Sequence, residues 1–485
     1  MEPGQESAKP GDDAPIGSVI VSDLPARLDR LGWSPWHWRM ITALGITWML
    51  DGLENCLAAN VADVLTKPDT LGLGIAQVGY ASSAYLAGNV VGALLFGRLT
   101  DTFGRKRLFL VTLGVYLAGT ALSGAAPSFA VFLVCRFIAG TGIGGEVAAM
   151  NSAIDELAPA RVRGAVDLGI NASAWFGVVL GSLLSLVLLN PTIVPRAIGW
   201  RLVFGLGAML GIGVGFLRRY LPESPRWLLM RGRVREAREI VEAIERAAQR
   251  GSSAPAATTP APEREVRVTG SVGLGYIART LLRKHLRRSV LALTLLVAQS
   301  FCYNAIFFTY ALILGRFYGV PSESVGLYII PFAIGNFAGP LLLGRLFDTL
   351  GRRIMITSTF ALAGVCLAIT GALFHAGVLD ATTQAVCWSV TFFVASAAAS
   401  SAYLTVGELF PVELRGMAIA IFFTLGQGAS VVAPTIFAAI VASKSRGALF
   451  VGYLFAGALM VLAAVVAAVL GVKAERKSLE ELAES

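Results

Sequence analysis

A helix needs about 20 mainly apolar residues to cross a bilayer, and this chain supplies such a run about twelve times over. Hydrocarbon offers no water to backbone N–H and C=O groups, so only helices and closed barrels can span it. The runs fall near residues 40–62, 76–97, 108–126, 129–151, 165–189, 200–217, 289–314, 324–346, 354–374, 381–406, 416–441 and 447–471. Strand-like alternation is absent from them, which sets a β-barrel aside. The expectation is an all-α membrane protein. Composition agrees: 55% of the 485 residues are hydrophobic and only 15% charged, against roughly 25% charged in soluble chains. The 53 glycines are spread through the apolar runs, where they let helices approach closely in a medium that gives no hydrophobic drive between them.

The net charge of +9 is a matter of position rather than of nucleic-acid binding. Lys and Arg gather in alternate loops: Arg98, Arg105, Lys106 and Arg107 after the second run, Arg161 and Arg163 after the fourth, sixteen between Arg218 and Arg288, then Arg345, Arg352 and Arg353. The opposite loops hold Lys67, Arg196, Arg201, Arg316, Lys444 and Arg446. By the positive-inside rule, both termini and the central segment are expected in the cytoplasm. Residues 1–39 hold no apolar core of a cleaved signal, and the first long run is itself long enough to span. Cys56, Cys135, Cys302, Cys366 and Cys387 all lie inside runs and read as small core residues.

An internal repeat divides the chain. GRLTDTFGRKR at 97–107 returns as GRLFDTLGRR at 344–353, 247 residues later, and DELAPARVRG at 155–164 returns as GELFPVELRG at 407–416, 252 residues later. Two matched motifs at nearly one offset make the chain a duplicated six-helix unit. Such duplication puts a binding site between two bundles at the bilayer midplane. The expected divisions are 1–39, a first bundle at 40–219, a central segment at 220–288, a second bundle at 289–471 and a tail at 472–485. The stretch GSSAPAATTPAPE at 251–263 has the composition of a disordered linker, while 231–250 reads as a charged surface helix.

The sequence GRLTDTFGRKR resembles the loop signature of the major facilitator superfamily. With its second copy, RFIAGTGIGG (136–145), PESPRWL (222–228) and ERKSLEEL (475–482), the chain looks like the sugar-porter branch in its broad sense. The resemblance implies the major facilitator fold, with 12 transmembrane helices in two six-helix bundles. It also implies a secondary active transporter moving a small organic solute across a lipid bilayer by alternating access.

Asp51 and Glu54 lie three apart in the first run, on one helix face. A carboxylate at the bilayer centre costs about 2.5 to 3.5 kcal/mol on insertion scales, so an ion or proton site is the natural reason for them. The bland alternative has Glu54 solvated near the outer interface. Arg136, inside the fourth run, is the natural partner of a buried acid, and the resemblance to proton-coupled sugar porters pairs it with Asp51, which makes Asp51 the expected proton acceptor and Arg136 the group that tunes it. A nearby cation favours the ionised acid, and its withdrawal favours protonation. Glu146 is either a second coupling carboxylate or a group at the cytoplasmic mouth. In the repeated loops, Asp101, Arg105, Glu156, Arg163, Asp348, Arg352, Glu408 and Arg415 have the chemistry of ion pairs at helix ends, and the resemblance implies a cytoplasmic gate.

For the solute, the candidates are Gln299, Tyr303 and Asn304 in the seventh run, Asn171 and Trp175 in the fifth, Tyr403 in the tenth and Asn336 in the eighth, with Asn89 and Gln427 weaker. A buried amide must find a partner, whether solute or neighbouring helix. Gln299 and Asn304 keep a sugar-porter spacing, but a doubled Gln, a fifth-span Gln and a tenth-span Trp of that branch are missing. The motifs DGLE, GIGG and YLTVGELFP look more like organic-ion, aromatic-acid and nicotinate-type transporters, so a carboxylated or aromatic metabolite is favoured over a hexose. Rival readings are a proton-coupled drug or metabolite efflux antiporter, a facilitated uniporter and a non-transporting solute receptor. The fifth run, NASAWFGVVLGSLLS, lacks the proline expected of the antiporters. His37, His285 and His375 are scattered and no phosphate-binding loop is present, so neither an enzyme, an ATP-driven pump, a metal nor a cofactor is expected. The expected setting is a bacterial inner membrane, with the chain a monomer and protons the coupling ion.

Overall fold

The computed structural model describes residues 19–31, 33–157, 163–218, 222–249, 264–267, 281, 283, 285–409 and 412–471. The linker at 251–263 and the tail motif at 475–482 lie outside them. The first bundle comprises α2 (Pro35–Val64), α3 (Ile75–Phe103), α4 (Arg105–Ala125), α5 (Phe129–Leu157), α6 (Arg163–Leu188) and α7 (Arg196–Arg218). The second begins with α10 (Leu286–Phe307) and α11 (Tyr310–Tyr318), one span in two pieces, and continues through α12 (Val325–Thr349), α13 (Arg352–His375) and α14 (Ala381–Leu409). Its eleventh span is again in two pieces, α15 (Val412–Ser430) and α16 (Ala433–Ala442), and α17 (Arg446–Leu470) closes it. Eleven stretches of these helices are long and apolar enough to cross a membrane. The twelfth span is α2, whose 30 residues include Asp51, Glu54 and Asp63 and are therefore less hydropathic.

The halves share one packing scheme. First span packs on fifth, second on fourth and third on sixth, and the second half repeats each pairing. Glycine makes these crossings close. A methyl group built on Gly140 of α5 would lie 2.0 Å from the Tyr85 carbonyl oxygen, and one on Gly144 1.9 Å from that of Asn89; from the other side, Gly88 and Gly92 of α3 meet the Phe137 and Thr141 carbonyls at 2.1 and 2.0 Å. The glycines of RFIAGTGIGG and of GNVVG at 88–92 are thus the two faces of one GxxxG-type contact. In the loop repeat, Gly104 (φ 87°) and Gly351 (φ 100°) hold equivalent left-handed positions, which an L side chain adopts only at a cost.

The two broken spans have identifiable causes. Pro434 near the start of α16 has no N–H to give to Ser430, so the eleventh helix cannot run through. In the seventh, the Thr309 hydroxyl bonds back to the Ala305 carbonyl at 2.5 Å and its N–H reaches Ile306 instead of continuing the regular ladder; such back-bonding bends helices.

Outside the spans, α1 (Leu24–Arg30), α8 (Pro225–Met230) and α9 (Val234–Gln249) pack together. The surface helix expected at 231–250 is α9, which buries Ala237, Val241, Ile244 and Ala248 at helical spacing. The sequence had shown no strands, yet Val19–Ser22 (β1) pairs antiparallel with Arg264–Arg267 (β2). Four-residue strands carry too little periodicity to be read from sequence. Arg27 donates to both carboxylate oxygens of Glu245, at 2.8 and 2.5 Å, and ties α1 to α9. Glu223 of the PESPRWL motif accepts the Lys106 backbone N–H, an anion at the start of α4 where the helix dipole favours it.

Candidate functional site

Asp51 and Glu54 are both buried in the middle of α2, 4% and 2% exposed, and Arg136 faces them from α5 at 3%. The ion pair runs from Arg136 Nη1 to Glu54 Oε1 at 3.5 Å. The expected partner of Arg136 was Asp51; the ion pair described here is with Glu54, whose burial corrects the alternative of solvation at the outer interface. Both acids share a helix face, but the rotation of α2 points Glu54 at α4 and α5. There Thr120 of α4 donates its hydroxyl to the same Oε1 at 2.7 Å. Above the guanidinium lies the Tyr85 ring at 4.3 Å, with Phe204 of α7 at 5.4 Å. Asp51 lies within electrostatic reach of Tyr85, as do Glu54 and Arg136. Glu146 is buried in α5 at 1% exposure.

A cluster of aromatic rings joins the halves beside this pair. Trp175 of α6 meets Tyr303 of α10 at 6.2 Å and Phe332 of α12 at 6.1 Å between ring centroids. Tyr303 stacks on Phe307 at 5.2 Å and faces Phe392 of α14 at 5.9 Å, and Phe392 lies 4.5 Å from Phe332. Gln299, one turn before Tyr303, is half-buried on the same face and accepts from the Ser300 hydroxyl at 3.4 Å. Asn304 points elsewhere: it is buried and donates to Gln427 Oε1 at 3.2 Å and Ser430 Oγ at 2.8 Å, gluing the seventh span to the eleventh. Asn336 is buried and donates to the Phe332 carbonyl of its own helix at 2.9 Å, and Asn171 is exposed on α6. The side chains of Tyr403, Asp101, Arg105, Glu156, Arg163, Asp348, Glu408 and Arg415 lie outside the described residues; Arg352 is half-buried at the start of α13.

Sequence reasoning missed Tyr85, Thr120, Phe307, Phe308, Phe332 and Phe392. An aromatic or a threonine inside an apolar run carries no signal that separates it from lipid-facing or core neighbours. It also missed the end of the molecule opposite the GRLTDTFGRKR loop. There Ser322 bonds Asp63 Oδ2, Lys67 pairs with the same oxygen at 3.1 Å, and Ser83 of α3 meets Thr435 of α16 at 2.7 Å, so the halves are joined.

Two six-helix halves of repeated packing, enclosing a buried carboxylate pair and a polar-aromatic seam, define a transporter of the major facilitator fold. The chain belongs to the family described as "Sugar (and other) transporter", which it matches over residues 57–485. It is a multi-pass membrane protein that moves small organic solutes, and not an enzyme. Among curated proteins it is 26% identical over 462 residues to the "Niacin transporter NiaP" of Acinetobacter baylyi, covering 95% of this chain and 99% of the relative. It is also 26% identical to the "Inner membrane metabolite transport protein YdjE" of Escherichia coli, over 95% of this chain and 98% of that one. A solved structure of the xylose transporter XylE from E. coli, in a partially occluded inward-open conformation, superposes with a TM-score of 0.71 at 18% identity, covering 92% of this chain and all of that one.

Proposed function

We propose that this protein is a proton-coupled symporter of a small aromatic or carboxylated metabolite, with Glu54 as the carboxylate that takes the proton. The observation that carries the reading is the buried pair of Glu54 and Arg136, which is 3.5 Å long and shares its oxygen with Thr120. A buried charge persists only while its partner stays. In the paired state Arg136 faces the Glu54 carboxylate; when rocking of the bundles separates the pair, the uncompensated carboxylate takes a proton from the side then open.

The ring cluster of Trp175, Tyr303, Phe332 and Phe392 supports an aromatic solute, because flat rings prefer edge-to-face and offset partners and the cluster draws on both halves. Niacin, the solute named for the first relative above, is an aromatic carboxylate and belongs to the class. Gln299, Asn171 and, from the tenth span, Tyr403 supply polar groups toward the same seam in this reading, with Asn304 tying the seventh span to the eleventh and Asn336 bonded within its own helix. The loop pairs among Asp101, Arg105, Glu156, Arg163, Asp348, Arg352, Glu408 and Arg415 form the gate at the loop-motif end, which we place in the cytoplasm of a bacterial inner membrane from the charge bias.

The test is uptake into proteoliposomes of labelled nicotinate, benzoate and D-xylose with and without an imposed inward proton gradient. An aromatic carboxylate should accumulate with the gradient, and Glu54→Gln should exchange it but no longer concentrate it. Accumulation by Glu54→Gln equal to the wild type would remove Glu54 from the coupling, and preferential accumulation of xylose would overturn the solute class.

A further inference from the structure

The Glu54 pair lies wholly within the first half, whereas the rings that would sense a solute belong largely to the second. Tyr85 stands between them. It is 2% exposed in α3, its ring lies under the Arg136 guanidinium at 4.3 Å, and the same ring meets the Phe308 ring of the second half at 6.2 Å. Phe308 occupies the break between α10 and α11, and its neighbour Phe307 stacks on Tyr303 of the ring cluster. Tyr85 cannot shift with its backbone: the Gly140 contact, one turn beyond Arg136, presses α3 onto α5 with no room for a methyl group. The free partner in the sequence Tyr303, Phe307, Phe308, Tyr85, Arg136, Glu54 is therefore Phe308, carried on the irregular turn of the seventh span.

We propose that Tyr85 is a positioning residue that couples movement of the seventh span to the charge on Glu54. While Phe308 backs it, its ring holds Arg136 against Glu54 by attraction of the cation to the ring face. When the seventh span closes on solute, Phe308 withdraws, the ring tilts, and Arg136 loosens from Glu54. The proposal rests on Glu54 being the coupling carboxylate. Among the described residues, the charged and titratable groups around the pair are Asp51 on the same helix as Glu54, Arg136 from α5 and Tyr85 itself; α4 contributes the Thr120 hydroxyl and α7 the Phe204 ring.

The experiment needs no solute. Nitroxides at Asp69→Cys and Val378→Cys, exposed positions in loops of the two halves, report the distance across that end of the full-length protein in lipid, measured across about pH 5 to 9. Wild type and Tyr85→Phe should show the same pH-driven shift between two distances, and Glu54→Gln should show none. Tyr85→Leu should move the midpoint by about one pH unit, a tenfold change in proton concentration, and Phe308→Leu, which leaves α3 intact, should do the same. If Tyr85→Leu or a folded Phe308→Leu keeps the wild-type midpoint, the coupling role of Tyr85 is wrong while Glu54 stands. If the wild type shows no shift, or Glu54→Gln titrates like it, the Glu54 reading fails and this proposal with it.

Discussion

Two glycines on facing helices set the tightest constraint at the scale of single residues. A methyl group on Gly52 would lie 1.9 Å from the Ala174 carbonyl oxygen, and one on Gly177 1.7 Å from that of Met49. Both contacts are with backbone, so nothing flexible can yield. Gly177→Ala should cost about 1 to 3 kcal/mol or prevent folding, read as a lower melting temperature in detergent; an unchanged melting point would mean that α2 and α6 are not packed this closely. Polar residues inside the spans divide by where their bonds go. Asn336 is satisfied within its helix, so Asn336→Ala should leave solute affinity near the wild type. Trp175 is the ring that α6 presents to the second half, and Trp175→Leu should weaken an aromatic solute about tenfold, or ~1.4 kcal/mol, in a binding titration.

Helices behave here as rods with designed ends and designed breaks. Asp380 starts α14, accepting the Thr383 backbone N–H at 2.7 Å while Thr383 accepts the Asp380 N–H at 2.9 Å. The Thr383 N–H, its hydroxyl and Thr382 hold this carboxyl below the usual carboxylate range. A group depressed in the folded state adds stability above its unfolded pKa and loses it as pH falls through the folded value. Asp380→Ala should therefore melt earlier than wild type at neutral pH, with the gap closing below about pH 4. The breaks are internal joints. Pro434→Ala restores a backbone donor toward Ser430 and lets the eleventh span run straight. Transport initial rates should fall several-fold with little change in solute affinity, and equal rates would show the break to be structural only.

The whole molecule is held in one of its states by contacts far from the ring cluster. At the end opposite the loop motifs, Asp63 of α2 joins Ser322 and Lys67, and Ser83 joins Thr435. The bonds of Ser322 to Asp63 and of Ser83 to Thr435 join the two halves, and each is worth only about 1 kcal/mol net, the scale on which an alternating equilibrium can be tipped. Asp63→Ala should raise the open population at this end several-fold in the nitroxide distance measurement, with no change in melting temperature large enough to signal misfolding. A distribution identical to wild type would assign the closure to apolar packing instead.

The chain alone determined that there are twelve spans in two related halves, because apolar length and a repeat offset are local and countable. It determined that carboxylates and an arginine are committed to the membrane. By resemblance it paired Arg136 with Asp51, and it gave no sign of the contact with Glu54. Asp51 and Glu54 share a helix face, and only the rotation of α2 against α4 and α5 decides for Glu54, through Thr120 and Arg136 approaching from 66 and 82 residues away. The rings that link this pair to the seam are invisible for the same reason: Tyr85 and Phe308 are 223 residues apart in the chain, and only the packing of one half on the other makes them neighbours.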